Sequence, residues 1–161
     1  MVVGITDIVS NKEFYNLVGD IGGTNARFAI VPVGSSELTS IKTLHCEKFE
    51  TIQQALQFYL SSIKDIQISS ACIASAGTVH LDTFKPSNND WLINKSDVSS
   101  VLNNIQVSWI NDFNAQALAT TELTDIDLIT IKAGIDQPDR LRLAIGPGTG
   151  LGVCGLIRSS S

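Results

Sequence analysis

Much of what commonly announces a function is missing from this chain. It has no Lys/Arg cluster: 11 basic residues face 16 acidic ones, for a net charge of -5. That balance suits solubility and offers no electrostatic footprint for nucleic acid or an anionic membrane surface. No apolar run approaches the length of a membrane span. The opening "MVVGITDIVSNKEFYN" lacks a basic start followed by a long apolar stretch. Residues 1–15 therefore read as a tail and not as a signal peptide. Cysteine is scarce, with Cys46, Cys72 and Cys154 widely spaced and no CxxC pair. Cys72 and Cys154 lie in apolar stretches and read as small buried hydrophobes, which fits a reducing cytoplasm. His45 and His80 have no metal-ligand spacing with other candidates and receive no role. No G-x-x-x-x-G-K-[ST] occurs, which excludes a P-loop, and there is no internal repeat.

What is present is enough for one folded domain. The chain has 161 residues, 43% of them hydrophobic, long enough for a proper core and too short for two large domains. "NLVGDI" and "ARFAIVPV" read as strands joined by a glycine turn, with Pro32 marking a strand end or edge. "LTSIKTLHCEKF" is a third strand, and the short connections predict an antiparallel meander. Thr51 then caps a helix whose Ile52, Ala55, Leu56, Tyr59, Leu60 and Ile63 recur on one face. "QISSACIASAG" is a strand that returns beside the first, closing a βαβ crossover. A loop follows around Pro86 to Asp90. Ser96 opens a second helix, with Val98, Val101, Leu102 and Ile105 on one face. "IQVSWI" is a strand, "NDFNAQALATTEL" a helix, and "DIDLITIKAG", "RLRLAIG" and "GLGVCGLI" read as strands. The order predicts a mixed sheet covered by helices.

Three places carry possible chemistry. In "LVGDIGGTNARFA" a strand breaks at Asp20, Gly22, Gly23, Thr24 and Asn25 and then resumes; "IGPGTGLGVCG" is a second glycine-rich turn between strands. Glycines beside small hydroxyl residues let backbone N–H groups converge on phosphate oxygens, because no Cβ blocks the approach. Pattern alone leaves a phosphate cradle and a structural turn both open. Gly150, Gly152 and Gly155 satisfy G-x-G-x-x-G, but the chain continues as a strand, so a dinucleotide fold is rejected. Asp112 follows a buried strand at its carboxyl end, where ligands of α/β sheets bind, yet Asp is also a favoured helix cap. Asn88, Asn89 and Asp90 before Trp91 offer polar groups beside an aromatic ring, as sugar sites do, but on the residues alone a surface turn is the better reading.

"LVGDIGGTNARFA", "ACIASAG", "SNNDW", "WINDFNAQALA" and "GPGTGLGV" occur in that order, and from Asn16 onward the chain closely resembles the bacterial glucokinases. These belong to the actin-like sugar-kinase superfamily. The resemblance implies a ribonuclease H-like (actin-like ATPase) α/β domain, with a mixed five-stranded sheet core and helices on both faces. It implies phosphorylation of glucose by ATP with Mg²⁺, in a cytoplasmic enzyme whose full-length form is a homodimer. Gly19, Asp20, Ile21, Gly22, Gly23 and Thr24 match the first phosphate loop, with Asp20 facing the Mg²⁺ through water. Gly148, Thr149 and Gly150 match the second phosphate loop. Asp112 matches the catalytic base, while Asn88, Asn111 and Asp112 match the sugar contacts.

Two departures qualify the resemblance. The stretch from Thr78 to Pro86 follows no typical version of the family motif, although Asn88 still falls correctly before Trp91. Family members are about twice as long, as expected of two domains. Residues 16–161 are thus expected to be the N-terminal domain alone, with little or no activity by itself. A kinase for another hexose and a non-catalytic sugar-sensing regulator are the alternatives. Retention of Asp112 argues against the second, since a sensor has no use for a base.

Overall fold

The computed structural model describes residues 13–135, 137, 140–147 and 151–157. Its elements are β1 (Glu13–Ile21), β2 (Asn25–Pro32), β3 (Thr39–His45), α1 (Ile52–Ser61), β4 (Ile66–Ser75), β5 (Thr83–Phe84) and β6 (Ile93–Asn94). They continue with α2 (Lys95–Val101), β7 (Val107–Asn111), α3 (Asp112–Ala119), β8 (Arg142–Pro147) and β9 (Leu151–Leu156). Five strands form one mixed sheet in the order β3-β2-β1-β4-β7. The meander β1-β2-β3 is antiparallel, whereas β4 runs parallel to β1 and β7 parallel to β4. The expected βαβ crossover is therefore present, and the sheet has the expected mixed architecture.

Period-two alternation places Leu17 and Ile21 of β1, and Ala71, Ile73 and Ser75 of β4, on the same buried side. Helix α1 lays Ile52, Ala55, Leu56 and Tyr59 into the core formed there. Its start is fixed by Thr51, whose side chain accepts from the Gln54 N–H at 3.3 Å. Val98 and Leu102, from α2 and its end, close the same cluster. Helix α3 leaves the end of β7 and carries the β8-β9 hairpin on its other side.

Several boundaries differ from expectation. β1 already includes Glu13, which pairs with Ile66 ahead of the apolar pattern. Helix α2 begins at Lys95, capped by Asn94 rather than opened by Ser96, since the Asn94 side chain accepts from the Ser96 N–H. "DIDLITIKAG" is no strand: it contains a single 3₁₀ turn at Asp125–Asp127, and no described strand lies beside it to pair with. The cysteine expectation is also reversed. Cys46 is buried, while Cys72 and Cys154 are half-buried, and all three are free thiols.

Candidate active site

The carboxyl ends of β1, β4 and β7 open onto a cleft of about 480 Å³. Gly22 and Gly23 from the β1–β2 turn, Ser87 and Asn88 from the β5–β6 loop, and Asp112, Phe113 and Gln116 from α3 line it. Gly146, Pro147, Leu151 and Gly152 from the hairpin complete the wall. Residues 148–150, the rest of the second glycine turn, lie outside the described residues. Asp112 is the single charged side chain among the described lining residues. A lone carboxylate in a wall of glycines, amides and hydroxyls has no nearby basic partner to occupy it, which leaves it available to a ligand hydroxyl.

The first turn is built by its glycines. The Gly22 N–H donates to the Asn25 carbonyl at 2.9 Å, reversing the chain in four residues. A Cβ on Gly23 would stand 2.7 Å from the Asn88 carbonyl oxygen, closer than any side chain tolerates. Glycine at 23 thus lets the two loops of the cleft touch. Asn88 itself holds φ +59°, a left-handed conformation that Asn adopts more readily than most residues.

Asn111 and Asp112 divide two tasks that the sequence left ambiguous. The Asn111 side chain is the helix cap, its Oδ1 accepting from the Phe113 N–H at 3.0 Å. The same N–H also reaches Asp112 Oδ1 at 2.9 Å. Capping therefore accounts for Asn111 and leaves the second carboxylate oxygen of Asp112 without an assigned partner. The Asn111 amide nitrogen is likewise left over for another acceptor.

Not every matched residue reaches the cleft. Gly19 sits inside β1 opposite Phe28, and a Cβ there would lie 3.2 Å from the Phe28 ring, a tight contact to which the ring would have to yield by a few tenths of an ångström. Ile21 is fully buried in the core. Thr24 is exposed, and its carbonyl accepts from the Cys46 N–H at 2.8 Å. Asp20 pairs with Arg27 at 2.8 Å, both side chains about half exposed.

That arrangement bears on Mg²⁺. No cluster of three or more His, Cys, Asp or Glu side chains that could cage a metal exists among the described residues. Mg²⁺ keeps most of its water and takes one or two carboxylates plus phosphate oxygens. One half-exposed carboxylate, with an oxygen beyond the one Arg27 holds, fits such a hydrated ion and does not fit an all-protein site.

Two features escaped the sequence reading. Phe113 packs its ring where Cβ atoms on Gly146 and Gly152 would be, 2.9 Å and 1.8 Å from the nearest ring atom. Gly152 is therefore explained by the aromatic ring beneath it. The stretch before Trp91 is a turn with Ser87, Asn88 and Asp90 exposed, as the surface-turn reading expects, but Asn89 and Trp91 point inward and are buried. The Trp91 indole N–H donates to the Phe49 carbonyl at 2.9 Å, anchoring the loop to the β3–α1 connection. The only forward signal for this was the aromatic residue itself.

Sheet order, glycine turn and helix-start carboxylate agree with the actin-like sugar-kinase class that the sequence resembles. The fold is shared with a ROK family glucokinase from Streptomyces griseus, solved in complex with glucose and AMPPNP. That likeness has a TM-score of 0.64 at 22% identity, over 89% of this chain and 44% of that one. The glucokinase family model matches residues 17–161, and the chain belongs to that family. A curated glucokinase of Hahella chejuensis is 44% identical over 149 residues, 92% of this chain and 46% of the relative. A glucokinase structure from an Antarctic psychrotroph superposes with a TM-score of 0.81 at 32% identity, over 91% of this chain and 47% of that chain. The chain spans about half the length of the curated relatives it matches.

Proposed function

We propose that this chain forms the N-terminal domain of an enzyme that phosphorylates glucose with ATP, giving glucose 6-phosphate. The observation that carries the reading is the meeting of Gly22, Gly23, Asn88 and Asp112 around one cleft. A sugar hydroxyl is a weak nucleophile near neutral pH. The free carboxylate oxygen of Asp112 accepts its proton as the hydroxyl oxygen attacks the γ-phosphorus of ATP. Asn88 and Asn111 orient the sugar by hydrogen bonds, and ADP leaves. Backbone amides of the glycine turns cradle the phosphates, residues Gly148, Thr149 and Gly150 completing the second turn. Bound Mg²⁺ supplies charge neutralisation on the phosphates, and Asp20 holds its water shell.

Residues 16–161 are the small domain in this reading, and a C-terminal domain supplies the rest of the sugar and adenosine contacts. Cytoplasmic location, a place at the entry of glucose into glycolysis and a homodimer of the full-length form go with it. Residues 1–161 tested apart from such a domain would have no closure over the phosphates and are expected to turn over little or no glucose.

The test is sugar-dependent ADP release by the full-length gene product, with Mg²⁺-ATP, a panel of hexoses and Asp112→Ala alongside. Loss of a positioned base lowers kcat by about 10²–10⁴-fold while glucose binding persists. Glucose binding without turnover of any hexose in the wild type would replace the kinase by a sugar sensor.

A further inference from the structure

We propose that Asn89 is a positioning residue that fixes the peptide plane of the phosphate turn from behind. Its amide nitrogen donates to the Gly22 carbonyl at 2.9 Å, across sixty-seven positions of sequence, and its Oδ1 accepts from the Trp91 N–H at 2.9 Å. Asn89 is 6% exposed, one of two buried polar residues among those described. Buried polar side chains persist where both donor and acceptor are satisfied, and here both are.

The consequence follows from peptide geometry. In a planar trans peptide the C=O and the next N–H point to opposite sides. Holding the Gly22 carbonyl toward Asn89 turns the Gly23 N–H the other way, to the face where Gly22 and Gly23 line the cleft. The Cys46 thiol also lies 3.8 Å from the Gly22 carbonyl, and burial pushes that thiol up, so it stays a neutral donor. Trp91 holds the far end of the Asn89 loop through Phe49. Asn89 thus transmits the rigidity of the core to the amide that would meet a phosphate oxygen. Its effect on ligands rests on the kinase reading, but the clamp itself does not.

Cys46 reports on the clamp, since its N–H donates to the Thr24 carbonyl and its thiol lies behind Gly22. We would measure iodoacetamide alkylation of Cys46, mapped by mass spectrometry with Cys72 and Cys154 as internal references. The proteins are this chain as wild type, Asn89→Leu, Asn89→Asp and Trp91→Phe, at mildly alkaline pH. Both Asn89 variants lose the donor to Gly22, and Asn89→Asp keeps the acceptor for Trp91 and the side-chain size. Asn89 also hydrogen-bonds the Cys46 thiol and pulls its pKa down, so rates are compared per thiolate, from the pH dependence of alkylation in each protein. On that scale each variant is expected to speed Cys46 alkylation about tenfold, the factor that one lost hydrogen bond of ordinary strength gives. Trp91→Phe, which loosens the anchor of the loop but leaves the Asn89–Gly22 hydrogen bond available, is expected to speed alkylation by less than either Asn89 variant does. Mg²⁺-ATP titrated onto full-length Asn89→Asp should bind about tenfold more weakly, with glucose affinity retained.

An unchanged Cys46 rate in Asn89→Asp, or an equal acceleration in Trp91→Phe, overturns the clamp. If full-length wild type binds no nucleotide, the kinase reading fails while the alkylation rates still decide the role of Asn89.

Discussion

The sheet region and the segment that follows α3 are both rich in aliphatic residues, yet they treat them in opposite ways. Leu17, Ile52, Leu56, Ile73 and Ile93 have no exposed surface. After α3, Ile126, Ile129, Ile131 and Ile135 are each more than 90% exposed, and the outward face of the β8–β9 hairpin shows Leu143, Ile145, Leu151 and Val153 more than half exposed. Composition does not separate the regions. The difference is that β1, β4 and α1 bring their apolar faces to one another, whereas beyond Ala119 only the inner face of the hairpin meets a partner, α3. A large exposed apolar surface of this kind marks an interaction surface.

The largest expected effect tests that contrast directly. Leu56→Ala removes a fully buried side chain from the contact between α1 and the sheet and should cost about 2–5 kcal/mol in denaturant unfolding. Ile129→Ser, an equally apolar residue at 92% exposure, should cost less than about 0.5 kcal/mol. Comparable losses would mean that the two regions share one core after all.

A smaller effect probes one of the places where the regions are locked together. A methyl group at Gly152 would fall 1.8 Å from the Phe113 ring, so the ring must leave its seat between β8 and β9. Gly152→Ala is expected to weaken hairpin docking by about 1–3 kcal/mol, read as faster hydrogen exchange in β8 and β9 with β1 and β4 unchanged. In a Phe113→Ala background the same substitution should cost little, because the clash is gone. If exchange in β1 quickens equally, the hairpin is part of the sheet's cooperative unit and the contrast fails.

Where elements could bury a face, the sequence was legible. Helix α1 and strands β1 and β4 each have a partner, and all three were read as such, as was the crossover that joins them. "DIDLITIKAG" was also read as a strand, but no described strand lies beside it to pair with, so its apolar content misled. Glycines were the harder case. Gly22 and Gly23 do line the cleft, but at Gly152 the Phe113 ring occupies the space a side chain would need, and at Gly19 the Phe28 ring leaves it tight. No local pattern reveals which distant ring will lie above a glycine. Asn89 was obscure for the same reason, its partner Gly22 lying in a different turn.

The smallest expected effect comes from a flaw inside the well-closed region. The Tyr59 hydroxyl is buried in the core with no hydrogen-bond partner. Burial raises its pKa from 10.0 to about 12. A proton held more tightly in the folded state stabilises it fully below the unfolded value, and that contribution is lost as pH climbs through the folded one. The wild type should therefore lose stability between about pH 10 and 12 through this group. Tyr59→Phe removes both the orphaned hydroxyl and its titration. At neutral pH it should be stabilising by up to about 1 kcal/mol, since no hydrogen bond is given up. The difference between the two unfolding curves isolates Tyr59 from the lysines and from Tyr15. A difference that widens on the alkaline side, with exchange in β8 and β9 unaffected, ties this titration to the closed core alone. A difference that stays flat across that range means the hydroxyl finds water in solution, and the core is less tightly closed than its burial implies.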